Sequence, residues 1–290
     1  MKLCFIIFAL IYPFINTYAI VDGYCIITSM DGSVKINSNN LDSNAKTGAI
    51  VKNGDSVIVD EKSKAELFTS NGIRLVALKK SSLTIKQIKQ GEGSFIAPTP
   101  DNVPIKEQSQ SIVDIDVNEG KVIGDVKKLQ PMSIFTMKTP AGVVRIKGTV
   151  FSVEYKKSDD GNASFNVGCL VGRVEVQMAD KNIPPIAIPA GKQMSVTSNP
   201  SMPPPPQGGG GELPKNNVAG KQMKIELNSI PPHEMKEMSV GAKIEFSRVV
   251  KSIAEQPENT VRKPDALDNV IKNIENVIDK QQVNPSPTGG

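Results

Sequence analysis

Between Tyr24 and about Thr197 turn chemistry interrupts the chain every few residues, which leaves room for short strands and little else. Alternating or β-branched runs stand at Ser33 to Ile36, Ser56 to Val59, Ala65 to Thr69, Ile73 to Ala77, Leu83 to Ile88, Ile134 to Lys138, Val150 to Tyr155, Ser164 to Val167 and Val171 to Gln177. Asp31-Gly32, Asn53-Gly54, Asn71-Gly72, Asp159-Asp160-Gly161 and Ala190-Gly191 separate them, several tolerating the positive φ of tight hairpins. The expected fold is all-β, a compact sandwich or roll of short antiparallel strands over residues 24–197. The stretch from Gly91 to Glu119, polar and carrying Pro98, Pro100 and Pro104, reads as an inserted loop with a short edge strand at Asp114 to Val117.

The densest pattern is Thr139-Pro140-Ala141-Gly142-Val143-Val144-Arg145-Ile146-Lys147-Gly148-Thr149-Val150-Phe151-Ser152-Val153, where Pro140, Gly142 and Gly148 mark turns or bulges between β-formers. This wording resembles the core motif of FecR-domain proteins. Upstream, Ala49 to Ile85 is similar to the family's strand repeat; downstream, Cys169 to Gln177 and Ile188 to Val196 resemble its closing strands. The resemblance spans about residues 28 to 197 in the family's order and makes Thr139, Pro140, Gly142, Gly148, Gly172 and Gly191 structural motif positions. Strand alternation puts Arg145 and Lys147 on one face with Val143, opposite Val144 and Ile146. With Thr149 they are the candidate partner-binding residues, against the plainer reading that the two charges are solvated on an outer face.

The N-terminus carries Lys2, an apolar run from Leu3 to Ile15 and then Asn16-Thr17-Tyr18-Ala19, the pattern of a signal peptide cleaved after Ala19. The run is about thirteen residues, short of the roughly twenty that cross a bilayer. Neither Cys4 nor Cys25 sits in a lipobox. Residues 1–19 are therefore read as a signal peptide, the protein as periplasmic or secreted by bacterial Sec-type export, and no stable membrane span is expected after cleavage. Export leaves Cys25 and Cys169 either paired, closing a loop worth about 4 kcal/mol in the chain-entropy view, or as two buried thiols.

Composition changes sharply at Ser201-Met202-Pro203-Pro204-Pro205-Pro206-Gln207-Gly208-Gly209-Gly210-Gly211, so residues 198–217 read as a Pro/Gly-rich linker rather than a ligand for an aromatic groove. Residues 218–284 read as a helical tail and 285–290 as a disordered end. In the tail Met235, Met238, Ala242, Phe246, Val249, Val250 and Ile253 recur at helical spacing, as do Leu267, Val270, Ile271, Ile274, Val277 and Ile278. Gly241 weakens the first helix and Pro264-Asp265 opens the second. Their apolar stripes must pack on each other, on the β domain or on a partner.

Charge and residue inventory narrow the chemistry. The net charge is +4, from 34 basic and 30 acidic residues, and becomes +3 without Lys2. Lysine pairs such as Lys79-Lys80, Lys127-Lys128 and Lys156-Lys157 are scattered, without the aromatics that stack on bases, so no nucleic acid is expected as a partner. His233 is the single histidine, which removes Ser-His-Asp and Cys-His catalysis and multi-histidine metal sites. Ser63-Lys64 and Ser158 near Lys156 read as turns rather than a Ser-Lys pair. Asp55, Asp60 and Glu61 form the densest acidic group, and turn formation and solvated strand ends account for them better than a cation does. No catalytic residue, metal or cofactor is expected, and the protein is not read as an enzyme.

The resulting expectation is an exported, non-catalytic recognition or signalling-scaffold module that binds an envelope protein partner. A module binding envelope polysaccharide or peptidoglycan is the alternative, and a membrane-anchored signal-transduction regulator a second. The best-known members of the resembled family carry a cytoplasmic anti-sigma segment before a membrane helix; no room for such a segment precedes Tyr24, which points to a standalone member.

Overall fold

The computed structural model describes residues 19–94, 107–126, 129–159, 161–199 and 222–242. The stretches read as a signal peptide (up to residue 18), as the linker (from residue 200), as the second tail helix and as the end at 285–290 lie outside them. In chain order the elements are β1 (Ile20–Asp22), β2 (Cys25–Asp31), β3 (Val34–Ser38), β4 (Leu41–Asn44), β5 (Ile50–Val51), β6 (Ser56–Val59), β7 (Lys64–Thr69), β8 (Arg74–Ala77) and β9 (Ser81–Gly91). There follow β10 (Ser111–Asp125), β11 (Ile134–Thr139), β12 (Gly142–Ile146), β13 (Val150–Lys157), β14 (Ala163–Val171), β15 (Arg173–Met178), β16 (Ile186–Pro189), β17 (Lys192–Asn199), β18 (Gln222–Ser229) and α1 (Pro232–Gly241).

The strands form two sheets, so the fold is all-β, with one short helix after it among the described residues. The first runs β4–β3–β6–β9–β10–β11–β12–β15–β16, with β1 beside the far end of β9. The second runs β5–β2–β7–β8–β10–β13–β14–β17–β18. Pairing is antiparallel except between β10 and β11. Alternate side chains of both sheets meet in one apolar core: Ile115, Val117, Met137 and Val144 of the first pack with Leu67, Leu75, Val153 and Val167 of the second. Phe135 and Phe151 meet edge to face across the layers, with ring centroids 6.0 Å apart.

β10 belongs to both sheets. Its first part pairs with β9 and β11; after Gly120 the chain bends into the second sheet and pairs with β8 and β13. Inward positions change from odd (Val113, Ile115, Val117) to even (Val122), so the corner absorbs the change of parity. Gly120 makes it with φ +87°, and a Cβ there would stand 2.5 Å from the Lys80 carbonyl oxygen.

The registers place the turns in a regular scheme. In the N-terminal half the chain changes sheet at Gly32, Ser63 and Lys80, at the end that carries Gly120, and also between β1 and β2 and between β5 and β6 at the other end. In the C-terminal half it changes sheet at the opposite end, at Gly148-Thr149, Gly172 and Gly191. Corners in each half lie against one another: the Val126 amide donates to the Thr149 carbonyl (2.9 Å) and the Gly191 amide to that of Cys169 (2.7 Å). Gly172 has φ +86°, and a Cβ on it would approach Thr149 Cγ2 to 2.7 Å and the Gly148 carbonyl oxygen to 2.9 Å.

Two sequence expectations are corrected. Within the stretch 91–119 read as an inserted loop, residues 95–106 lie outside the described ones, and the part from Ser111 belongs to β10, with Asp114 to Val117 at the centre of a sheet rather than in a short edge strand. Asp114, Asp116 and Asn118 made the segment look like a loop because they face away from the core. The stretch read as a helical tail from residue 218 opens with a strand instead. In Gln222–Ser229, Met223, Ile225 and Leu227 alternate, and β17 offers an open edge to pair with.

Replacing Gly172 by Ala is expected to cost about 2–3 kcal/mol, since it combines a left-handed backbone with a close approach. Gly54 also has positive φ, but a Cβ added there would meet nothing within 4 Å; Gly54→Ala should cost only the backbone part, about 1 kcal/mol. Urea unfolding of both variants measures the difference, and equal losses would show that the corner packing contributes nothing.

Candidate functional site

The motif residues build the scaffold. Thr139 Oγ1 accepts hydrogen bonds from the amides of Ala141 and Gly142 (3.2 Å each), closing the β11–β12 hairpin with Pro140 at its tip. Gly142 lets β12 approach β15, since a Cβ there would lie 2.6 Å from the Gln177 carbonyl oxygen. Gly148, Gly172 and Gly191 are the corners described above.

The candidate partner-binding residues separate. Arg145 is exposed on the outer face of the first sheet and pairs with Glu175 directly opposite on β15, Nη1 to Oε1 3.0 Å. Lys147 is exposed beside it. Thr149 points inward, 2% exposed, and is removed from any partner surface. Its Oγ1 has no hydrogen-bond partner among the described residues, an orphaned hydroxyl in a buried corner.

Cys25 and Cys169 are free, buried and far apart, which overturns the disulfide reading. Both lie in the second sheet, but β7, β8, β10 and β13 intervene between β2 and β14. Five steps of about 4.8 Å put them roughly 24 Å apart, against a Cα separation below about 7 Å for a bridge. Burial pushes both thiols up to about 12. Asp55 Oδ2 accepts the Lys52 amide at 2.8 Å in a turn, and Glu61 pairs with Lys80. Among the described residues no three His, Cys, Asp or Glu side chains group as a metal site would require. His233 is exposed in the first turn of α1.

The helix is fixed to the outer face of the second sheet. Met235, Met238 and Ala242 pack with Ile230, Val150, Leu170 and Ala190, and Gly168 leaves space for Met238. Lys121 of β10 reaches Glu234 (3.0 Å) and Glu237 (2.5 Å). Burial opposes its charge, but hydrogen bonds to Glu237 and Glu234 outweigh that and hold Lys121 above its ordinary range. Of the packings open to the first tail helix, the described part takes the β domain.

Among the described residues the two halves leave opposite mouths between the layers, and polar groups fill one of them. In the N-terminal half, buried Glu107 accepts from Asn71 Nδ2 (3.2 Å), the Gln130 amide (2.9 Å), Ser133 Oγ (2.6 Å) and Ser111 Oγ. In the C-terminal half, where the corners are at the other end, a pocket of about 200 Å³ remains between Pro140, Ala141, Tyr155, Phe165, Met178 and Met223. The pocket is predominantly apolar, with Ser164 and Asp180 also in its lining. Sequence reasoning missed it, because its walls come from five separate strands and a hairpin tip.

No family model matches the sequence, and no curated protein matches it. Among solved structures the chain is similar to two crystal structures, at 1.65 and 2.50 Å, of a protein from Parabacteroides distasonis ATCC 8503 provisionally designated an anti-sigma factor. The TM-score is 0.36 in both, with 14% and 16% identity, over 60% of this chain and 59% of that chain. The match thus spans about three-fifths of the length of those structures. No helix among the described residues is long and apolar enough to cross a membrane.

The buried polar and thiol groups give two measurable outcomes. Thr149→Val removes the orphaned hydroxyl and should stabilise the fold by about 1 kcal/mol in urea unfolding; a loss of that size would mean that Oγ1 is bonded in solution. Both thiols should resist alkylation in native protein and react in denaturant. Because their folded pKa is raised from 9.0 to about 12, the neutral thiols contribute stability that is complete below pH 9 and lost as pH rises toward 12. A Cys25→Ala, Cys169→Ala chain should show a shallower alkaline loss.

Proposed function

We propose that this chain is a non-catalytic exported recognition or signalling-scaffold module of FecR type, acting on an envelope protein partner. The observation that carries the reading is the contrast between the two mouths: one is filled by the Glu107 network, the other is an apolar pocket beside the motif hairpin. An apolar pocket with a few polar groups in its lining suits one or two apolar side chains of a protein better than a sugar, which requires many directed hydrogen bonds. The motif's polar residues support the same reading, since Thr139 is engaged in a turn and Thr149 is buried.

The test is crosslinking in native cells, followed by purification and N-terminal sequencing of the chain. The expected result is a chain starting at Ile20 that carries an envelope protein, with the adduct lost in Ala141→Arg, which blocks the pocket, and retained in Arg145→Glu. No adduct above background removes the protein-binding reading. Co-sedimentation with purified wall material in its place would support the polysaccharide alternative, and an intact Met1 in a membrane fraction the anchored regulator.

A further inference from the structure

Each sheet ends in strands whose outer backbone groups have no neighbouring strand among the described residues, and all but one of these edges is blunted. β4 is a four-residue strand with every residue exposed, and β5 has two residues. β16 follows Pro184 and Pro185 and ends at Pro189. Shortness and proline are the usual protections of an edge. β18 has neither: its eight residues, Gln-Met-Lys-Ile-Glu-Leu-Asn-Ser, contain no proline or glycine, and among the described residues it pairs only with β17. Met223 and Leu227 are 38% and 47% exposed.

We infer that β18 pairs antiparallel with β18 of a second copy of this chain, about a two-fold axis through Ile225. Three independent features select that register. The first is backbone direction. The Ile230 amide donates to the Gly191 carbonyl (3.1 Å), and the β17–β18 register continues unbroken to Gln222. Antiparallel strands point successive residues to opposite edges. Even-numbered residues therefore bond β17, and Met223, Ile225, Leu227 and Ser229 present N–H and C=O to the free edge. A register centred on Ile225 joins Ile225 to Ile225 and Met223 to Leu227, all positions whose backbone N–H and C=O face the free edge.

The second feature is charge. This register sets Lys224 opposite Glu226 of the other copy, twice. Moving the centre to 226 sets Glu226 against Glu226, and moving it to 224 sets Lys224 against Lys224; like charges directly opposite are destabilising. Within one copy Lys224 already lies 2.6 Å from Glu226, so both side chains occupy the same face. The third feature is the apolar face. Met223, Ile225 and Leu227 share the inward side of β18, where Ile225 packs on the core and Met223 lines the pocket, and the second copy continues that apolar row.

The test is self-association of the purified full-length chain by sedimentation, with charge variants as controls. The expected wild-type result is a reversible dimer. Lys224→Glu alone and Glu226→Lys alone should each weaken self-association at least tenfold. Mixing the two variants should restore a dimer of one copy of each, because every facing pair is then again opposite in sign. Separately, Ile225→Cys should form an intermolecular disulfide on oxidation, since paired residues in an antiparallel ladder lie about 5.5 Å apart. Leu227→Cys should not, because its mate in this register is Met223. A wild-type chain that is monomeric at every concentration, a dimer indifferent to both charge reversals, or equal crosslinking at 225 and 227 would each overturn the inference.

Discussion

Everything else in this fold depends on β10 being able to leave one sheet and enter the other. Among the described strands it alone carries ladder partners in both layers, with β9 and β11 on one side of its corner and β8 and β13 on the other. The corner requires a residue with φ +87° and no Cβ, because the Lys80 carbonyl and Ser81 pack directly against it. Beyond the corner, Gly124 again leaves room, here for Phe151, whose ring would otherwise lie 2.2 Å from a Cβ. Phe151 in turn meets Phe135 of the strand that follows. Two glycines and two phenylalanines thus join the halves of the molecule and the two layers at once.

That joint also explains why the mouths differ. β10 starts beside the start of β11, where the Ser111 amide donates to Ser133 Oγ, bends at Gly120 and returns through the second sheet to Asp125 at that same end, so the corners of the second half are at the opposite end from Gly120. The Glu107 network and the apolar pocket lie at opposite ends, each among hairpins of its own half. In the first half Glu107 fills the opening, and a buried carboxylate is tolerable there because four donors converge on it. In the second half the described residues around the hairpin at Pro140 and Ala141 leave the opening predominantly apolar.

The all-β character was legible because it is local: alternation with turn residues is visible in windows of ten. Gly148, Gly172 and Gly191 could be recognised as special positions for the same reason. What could not be read were the properties that depend on distant pairing. Asp114, Asp116 and Asn118 look like loop residues until a neighbouring layer defines which side is inward. Thr149 sits among residues of a motif surface in one dimension and under a corner in three. Cys25 and Cys169 are both strand residues in an exported-looking chain, and only the strand order, with four strands between them, separates them. The alternation of Met223, Ile225 and Leu227 was present in the sequence, but the proline- and glycine-rich run before it made the segment look like the start of something separate.

The outer face of the second sheet shows how closely local and global requirements are coupled. α1 has only two strongly buried apolar residues, Met235 and Met238, with Ala242 at its C-cap, which is too few to hold a ten-residue helix by its own propensity. It stays because the sheet beneath is prepared for it: Gly168 leaves space under Met238, Gly241 lies against Ile123, and Lys121 emerges immediately after the Gly120 corner to meet Glu234 and Glu237. The residue that allows β10 to change layers therefore also positions the lysine that anchors the helix. The strand before that helix is in turn held to β17 from Gln222 to Ser229, so this segment beyond the glycine run is part of the sheet and not an appendage to it.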